Sequence, residues 1–441
     1  MQSKVSMVMT CYNKEKYIDK MFDSIIAQEW DNLELILVNN GSVDATRAII
    51  SEYEQKFYKR GFEVLVINRE NNGVCSAVKD GLQKITGKYI CLVDADDILD
   101  SKYISVMASW LEQNNNYDYC VCGAVGYYQK GHEIIESGLY DNVYYEDEYN
   151  IERFIMGSSL VTVWIYMLRS EYFRRCGIVE SFFTETMGVQ EPAYVLPILA
   201  YGGKFKYFAL SLYKYNLVDD GFYHSQKTFE QIKQYYYEYD RLNRIAMAYL
   251  PIDVMNEDRK KRLSDVSAIK KYITIYRYAL EREDGCNFYT ELLQKLTNII
   301  NTFFNFHEPI SIYQIKGNVA LLYQILVDVL TGKSKRLTYE ITGRVIYYGA
   351  MGKNAIRLLP ELKGTVLEPT LLWDIKGDGD IVKKPDFDSL CKDDILLLFL
   401  KGNFDDVYDN AKKTGCLVLN FSEAASVLMP YMYPQFLSLY T

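Results

Sequence analysis

The sequence predicts an α/β fold, with a mostly parallel sheet domain at the N-terminal end, a helical middle region and a small α/β domain at the C-terminal end. Three observations carry this. Short apolar runs alternate with stripes of helical period through the first hundred residues. Each run closes on a polar cluster, and strand, helix, strand repeated in this way requires parallel strands with helices on both faces. After residue 340 the alternation resumes in shorter units.

Residues 5–9 form the first apolar run, broken at Thr10-Cys11-Tyr12-Asn13, and Tyr17, Met21, Phe22, Ile25 and Ile26 then mark a helical face. The second strand, 33–38, ends in Asn39-Asn40-Gly41-Ser42. Ser42 or Asp44 can cap a helix on which Ala45, Ile49, Tyr53 and Phe57 recur every four residues. A third strand, 64–67, turns at Asn71-Asn72-Gly73 into a helix lined by Val74, Ala77, Val78, Gly81, Leu82 and Ile85. The fourth strand, 89–93, closes on Asp94-Ala95-Asp96-Asp97. Open parallel sheets hold their ligands beyond the carboxyl ends of the strands, where these polar clusters fall.

The uncharged stretch 154–168, with Trp164, reads as a buried core element, and apolar stripes over 235–250, 265–280 and 288–304 make 226–340 helical, with nothing catalytic in it. The last hundred residues carry strands at 344–348, 371–373, 395–400 and 416–420, and resemble a small Rossmann-like domain. Its first turn has Gly349 and Gly352 alone, short of the full dinucleotide fingerprint. Asp374 stands at a strand end suited to a ribose, but a structural or partner-binding module outweighs an NAD site. The expected domains are therefore 1–225 (halves 1–100 and 101–225), 226–340 and 341–441, in keeping with roughly 150 residues per domain.

Composition removes several functions. A net charge of −9 without a Lys or Arg block gives no cationic face for nucleic acid. The nine cysteines form no CxxC pair and no disulfide framework, so a reducing, cytosolic setting is the simpler reading. No signal peptide is expected, and no run approaches the roughly 20 apolar residues of a membrane span. The uncharged tail 424–441 is broken by Pro430 and Pro434 and is expected to pack on its own domain, with peripheral attachment at the inner membrane face left open. Forty tyrosines suit stacking on sugars or bases, although a tyrosine-rich proteome is the stronger explanation.

Three carboxylates in four residues repel one another in a cleft, and a hard divalent cation with oxygen ligands relieves that repulsion. Such an ion can bridge two phosphates and neutralise a departing diphosphate. The bland alternative is a helix cap at Asp97.

The run from Val5 to Asn13, then Leu37-Val38-Asn39-Asn40-Gly41-Ser42, Asn72-Gly73, Gly81, Gly87-Lys88-Tyr89-Ile90 and Asp94-Ala95-Asp96-Asp97 resemble bacterial family 2 glycosyltransferases over residues 4–100, more faintly to about 225. The resemblance implies a GT-A fold and an inverting enzyme that uses a nucleotide-sugar donor, Mn²⁺ or Mg²⁺, and a glycan or lipid-linked acceptor. It places Thr10 and Tyr12 around the base with Asn39 and Asn40 beside them, and Asp94 and Asp96 on ribose and metal. Where the family has Asp-Asp-Gly-Ser, this chain has Asn39-Asn40-Gly41-Ser42. An Asn carbonyl still accepts from uracil N3–H, while an Asn amide can pair with cytosine N3, so UDP is favoured without excluding cytidine. The family's Arg-Asn is Val78-Lys79 here, and Lys79 is either a diphosphate cation or a solvent-facing lysine.

An inverting transfer needs one base to take the acceptor proton. The family's Glu-Asp pair corresponds to Gln190-Glu191, followed by Pro192 at a helix start, which makes Glu191 the candidate and Glu185 and Glu180 its competitors. His224 follows Tyr213-Lys214-Tyr215-Asn216, where relatives place a closing loop; it is a metal or phosphate ligand or a plain loop histidine. A nucleotidyltransferase would need a Gly-rich basic loop after the first strand, which Thr10-Cys11-Tyr12-Asn13 is not. A non-catalytic saccharide-binding relative is the alternative.

Overall fold

The computed structural model describes residues 2–130, 133–140, 149–157, 162–182, 190–217, 228–316, 318–332, 341–351, 353–377, 379, 381–399 and 405–439. The chain divides into two compact units, one of residues 1–226 and 238–264, the other of 227–237 and 265–441.

The first unit starts with β1 (Val5–Cys11), α1 (Ile18–Ile26), β2 (Leu33–Asn40), α2 (Thr46–Arg60), β3 (Glu63–Arg69), α3 (Val74–Leu82) and β4 (Tyr89–Asp94). It continues with β5 (Ile98–Leu99), α4 (Tyr103–Gln113), β6 (Tyr119–Lys130), β7 (Glu133–Tyr140), α5 (Asn150–Met156), β8 (Tyr166–Arg169), α6 (Ser170–Arg175), α7 (Ile178–Ser181), α8 (Glu191–Ala200) and β9 (Phe205–Asn216). Nine strands form one sheet in the order β3-β2-β1-β4-β8-β6-β9-β5, with β7 on β6.

The first four strands are parallel, as their helical crossovers require. All eight residues of β2 are buried because helices cover both its faces, whereas β3, at the sheet edge, leaves alternate residues exposed. Glu34 is tolerated inside β2 because it accepts from Ser6 Oγ (2.5 Å), Thr86 N (2.9 Å) and Thr86 Oγ1 (2.7 Å). Gly81 lets α3 close onto the sheet: a Cβ there would lie 2.5 Å from Val8 Cγ1. Beyond β4 the sheet turns mixed. β8 runs antiparallel to both β4 and β6, and β9 parallel to β6. Stretch 154–168 is thus divided between α5 and β8, with Trp164 buried between them.

The helix α9 (Phe229–Tyr249) and then α10 (Glu257–Leu280) each run through the division between the units. The second unit continues with α11 (Tyr289–Phe304), α12 (Ile312–Lys316), α13 (Val319–Leu330), β10 (Val345–Tyr348), α14 (Lys353–Leu362), β11 (Leu371–Trp373), β12 (Val382–Lys383), β13 (Ile395–Leu398), α15 (Asp405–Lys413), β14 (Leu417–Leu419) and α16 (Phe421–Met432). Its five parallel strands lie in the order β12-β11-β10-β13-β14, the Rossmann order counted from β10. Ile346, Trp373, Leu396 and Val418 fill its core. The two-residue strand β12 had no legible apolar run. Asp374 accepts from the backbone N–H groups of Met351 and Lys376, both at 3.0 Å, so its carboxylate holds the turns around it. The tail packs within its own unit: Tyr433 and Phe436 are buried, and the Phe436 ring meets Phe304 and Phe306 edge-on. No helix among the described residues is long and apolar enough to cross a membrane.

Candidate donor-binding and catalytic site

The carboxyl ends of β1, β2 and β4 lie side by side, with Thr10 in register with Val38 on one flank and Asp94 on the other. Just past β1, Asn13 takes a left-handed conformation (φ 52°), which Asn adopts more readily than most residues. Its N–H donates to Ser42 Oγ (3.2 Å) and its Oδ1 accepts from Val43 N (2.9 Å). Lys14 N then donates to Thr46 Oγ1 (2.7 Å) and Glu15 N to Asp44 Oδ2 (3.1 Å). Ser42 is therefore spent on this clasp, and Asp44 caps α2 by accepting from Thr46 N (3.0 Å). Tyr12 stands 44% exposed above the strand ends, available for stacking.

The two asparagines at the end of β2 do different things. Asn39 donates from Nδ2 to Asn68 Oδ1 (2.9 Å) and accepts at Oδ1 from Ser42 N (3.2 Å), which ties β2 to β3 and to its own turn. Asn40 donates from Nδ2 to Asn71 Oδ1 (3.2 Å) and Gly73 O (3.3 Å), while its buried Oδ1 has no hydrogen-bond partner among the described residues. Gly41 (φ 75°) makes this possible, since a Cβ there would meet Asn71 N at 2.7 Å.

At the end of β4 the acids also separate by role. Asp97 is buried and accepts from Tyr213 Oη (2.7 Å) and Asn216 N (2.8 Å) on β9. The Tyr213 oxygen accepts in turn from Asp94 N (3.1 Å), and the Asn216 side chain donates to Asp96 O (3.0 Å). Asp97 is thus a structural anchor, and Trp164, stacked on Tyr213 at 4.1 Å, holds that ring in place. Asp94 and Asp96 are left with their carboxylates at the cleft. Asp96 Oδ2 carries an ion pair with Lys14 Nζ at 2.5 Å, both side chains less than a third exposed (21% and 29%).

Charge is in excess here. Burial first, and then like charge on Asp96 and Glu191, raise the Asp94 carboxyl to about 7, against Lys14 and a hydrogen bond from the Gln190 side chain. Burial likewise pushes Asp97 well up, with Asp96 and Asp94 adding to it. Burial works against the Lys14 charge, but Asp96, Asp94 and Asp97 outweigh it and keep the ammonium protonated. Asp94 and Asp96 offer oxygen donors to a hard cation. Among the described residues no three acids, histidines or thiols converge to hold a metal by themselves, so substrate oxygens would have to complete its shell.

Glu191 opens α8, with Pro192 at the first turn. Gln190 N donates to Glu191 Oε2 (3.1 Å), and the Gln190 side chain bonds to Asp94, so α8 starts beside the acids at the end of β4. Lys79 lies on α3 and donates to Phe182 O (3.2 Å), a backbone oxygen rather than an open cleft. Glu180 is exposed on α7. His224 and Glu185 lie outside the described residues.

Sequence reasoning overlooked Lys14, Tyr213 and Asn216. Lys14 sits in a Lys-Glu-Lys run that looks like solvated surface, and only the left-handed turn at Asn13 hints that its side chain is aimed. Tyr213 and Asn216 meet Asp97 across 116 and 119 residues, which no local pattern reveals.

A parallel βαβ half whose acid-bearing strand end meets a second, mixed half is the architecture of a GT-A glycosyltransferase domain. Residues 6–174, within the first unit, match the family model described as Glycosyl transferase family 2. Glycosyltransferase GlyA of Streptococcus pneumoniae is 26% identical over 222 residues, 48% of this chain. Minor teichoic acid biosynthesis protein GgaB of Bacillus subtilis is 33% identical over 113 residues, 25% of this chain. The matched stretch covers 30% of GlyA and 12% of GgaB. Among solved structures, residues 1–349 of TarS from S. aureus share the fold with a TM-score of 0.50 and 13% identity, covering 77% of this chain and 94% of that one. TarS 1–349 has also been solved with UDP-GlcNAc.

Proposed function

We propose that the chain is a metal-assisted, inverting glycosyltransferase that moves a sugar from a nucleotide sugar to a saccharide or lipid-linked acceptor in surface-glycan synthesis. The observation that carries this is the pair of acids Asp94 and Asp96 at the end of β4, with Gln190, the neighbour of Glu191, hydrogen-bonded to Asp94. The family match, the names of GlyA and GgaB and the UDP-GlcNAc complex of the TarS neighbour support the class of donor and acceptor. Nine cysteines, none of them in a disulfide, support a reducing location, in the cytosol or at the inner membrane face.

A UDP-sugar is the favoured donor. The NH₂ groups of Asn39 and Asn40 are both engaged, and Asn40 Oδ1 is left as an acceptor. An acceptor without a donor suits the N3–H of uracil and opposes the N3 lone pair of cytosine. Tyr12 supplies a face for the base, and Thr10 lies under it at the end of β1. Asp94 and Asp96 would hold Mn²⁺ or Mg²⁺ together with the diphosphate, and the ion would neutralise charge on the leaving group.

Glu191 acts from the acceptor side. Its carboxylate takes the proton of the acceptor hydroxyl as that oxygen bonds to the anomeric carbon, and the bond from that carbon to the diphosphate oxygen breaks with its electron pair leaving on the diphosphate. One displacement inverts the anomeric centre. The test is nucleotide release from UDP-glucose, UDP-galactose and UDP-GlcNAc by the purified full chain, with and without Mn²⁺. Mn²⁺-dependent release of UDP is expected. Binding without release would favour the non-catalytic saccharide-binding relative, and neither binding nor release would overturn the proposal.

A further inference from the structure

The site holds a cation of its own. Lys14 Nζ lies 2.5 Å from Asp96 Oδ2, in the space where a metal on that oxygen would have to sit. The backbone of Lys14 cannot drift, because the clasp from Asn13 to Glu15 ties it to Ser42, Val43, Asp44 and Thr46. Only its four-carbon stem is free to swing. A divalent ion and an ammonium at one carboxylate oxygen repel each other strongly in a partly buried cleft. Binding of the ion therefore requires Lys14 to leave Asp96; Asp94 and Asp97 also act on the ammonium, but Asp94 would share the ion and Asp97 is already bonded to Tyr213 and Asn216, so the incoming diphosphate is the anion with oxygens to spare.

Resting on the reading of this cleft as a metal-assisted nucleotide-sugar site, we infer that Lys14 is a resident counter-ion of Asp96 that keeps the metal out until the donor arrives and then transfers to the donor's diphosphate. Lys14 thereby couples the two ligands. The metal alone must evict the ammonium into solvent, whereas the metal with a diphosphate offers it a new partner. Coupling of this kind is reciprocal, so metal and nucleotide each raise the affinity of the other by one shared factor.

The experiment is calorimetric titration of the full chain with MnCl₂ alone, with UDP alone and with MnCl₂ in the presence of UDP, for wild type, Lys14→Met and Lys14→Arg. Lys14→Met removes the charge and keeps most of the stem, so Mn²⁺ alone should bind about tenfold or more tighter than to wild type, while the enhancement by UDP shrinks by a similar factor. Lys14→Arg retains the charge and should keep weak binding of Mn²⁺ alone and strong coupling, which controls for a general loss of structure. Equal affinity of wild type and Lys14→Met for Mn²⁺ alone, with unchanged coupling, would overturn the inference and leave Lys14 a tether. If wild type bound Mn²⁺ neither alone nor with UDP, the metal-assisted reading would fail first and this inference with it.

Discussion

Replacing Tyr213 by Phe removes one oxygen and leaves the ring that stacks on Trp164. That oxygen donates to Asp97 Oδ2 at 2.7 Å and accepts from Asp94 N at 3.1 Å, and the residue is fully buried. The substitution therefore deletes a hydrogen bond to a buried carboxyl and orphans a backbone N–H at the end of β4. Each loss costs about 1–1.5 kcal/mol, so the first unit should lose about 2–3 kcal/mol. For a domain of this size the thermal midpoint should fall by roughly 5–10 °C, read from its transition in calorimetry. Nucleotide affinity should fall as well, because the displaced N–H belongs to Asp94. A Tyr213→Phe protein within about 0.5 kcal/mol of wild type, the scatter of ordinary surface substitutions, would refute the anchoring role given to Asp97 and Tyr213.

Glu191→Gln keeps the side-chain shape but removes the proton acceptor, so turnover should fall by about 10²–10⁴ with donor binding near normal; a wild-type rate would exclude Glu191 and turn attention to Glu185. Asp96→Ala should abolish Mn²⁺-dependent donor binding with the fold intact. In wild type that binding should strengthen as pH rises through about 7, where Asp94 loses its proton, and a pH-independent affinity would count against Asp94 as a ligand. UDP should bind about tenfold more tightly than CDP, the value of one hydrogen bond to Asn40 Oδ1, and equal affinities by calorimetry would place the base elsewhere. In the second unit, the Arg344 guanidinium 2.6 Å from Asp394 holds that carboxyl down at about 2. A depressed carboxyl stabilises the fold above its unfolded value near 4 and loses that effect as pH falls toward 2. With Arg344 partly solvated, Asp394→Asn should cost about 1–2 kcal/mol at neutral pH in denaturant titrations and flatten the acid limb.

Much of the donor half was legible because its information is local. Runs such as residues 35–38 are apolar throughout because β2 is buried on both faces, and the strand ends showed as breaks in those runs. The α/β class, the helical middle and the small C-terminal parallel sheet follow from the same periodicities. The division of labour within motifs was not legible. Asn39 and Asn40 are the same residue type in adjacent positions, yet strand alternation points one at Asn68 on β3 and the other at Asn71 and Gly73 in the following turn. Asp94, Asp96 and Asp97 look equivalent in the chain, but a tyrosine and an asparagine on β9 select Asp97 as the anchor. The mixed pairing of β6, β8 and β9 also escaped notice, since tyrosine-rich strands carry no clean apolar alternation to mark them.

The anchoring of Asp97 bears on how such an enzyme can be recombined. The residues proposed to recognise the donor come early in the chain, which invites treating 1–100 as a portable module onto which new acceptor halves are grafted. Asp97 at the end of its acidic cluster, however, is bonded among the described residues by groups that arrive more than a hundred residues later. A graft lacking a hydroxyl and an N–H at the positions of Tyr213 and Asn216 would leave a buried, unpartnered carboxyl directly beside the two acids of the cleft. Exchange of acceptor specificity in this architecture is therefore constrained to loops and helices around β9, with β9 itself inherited together with the donor half.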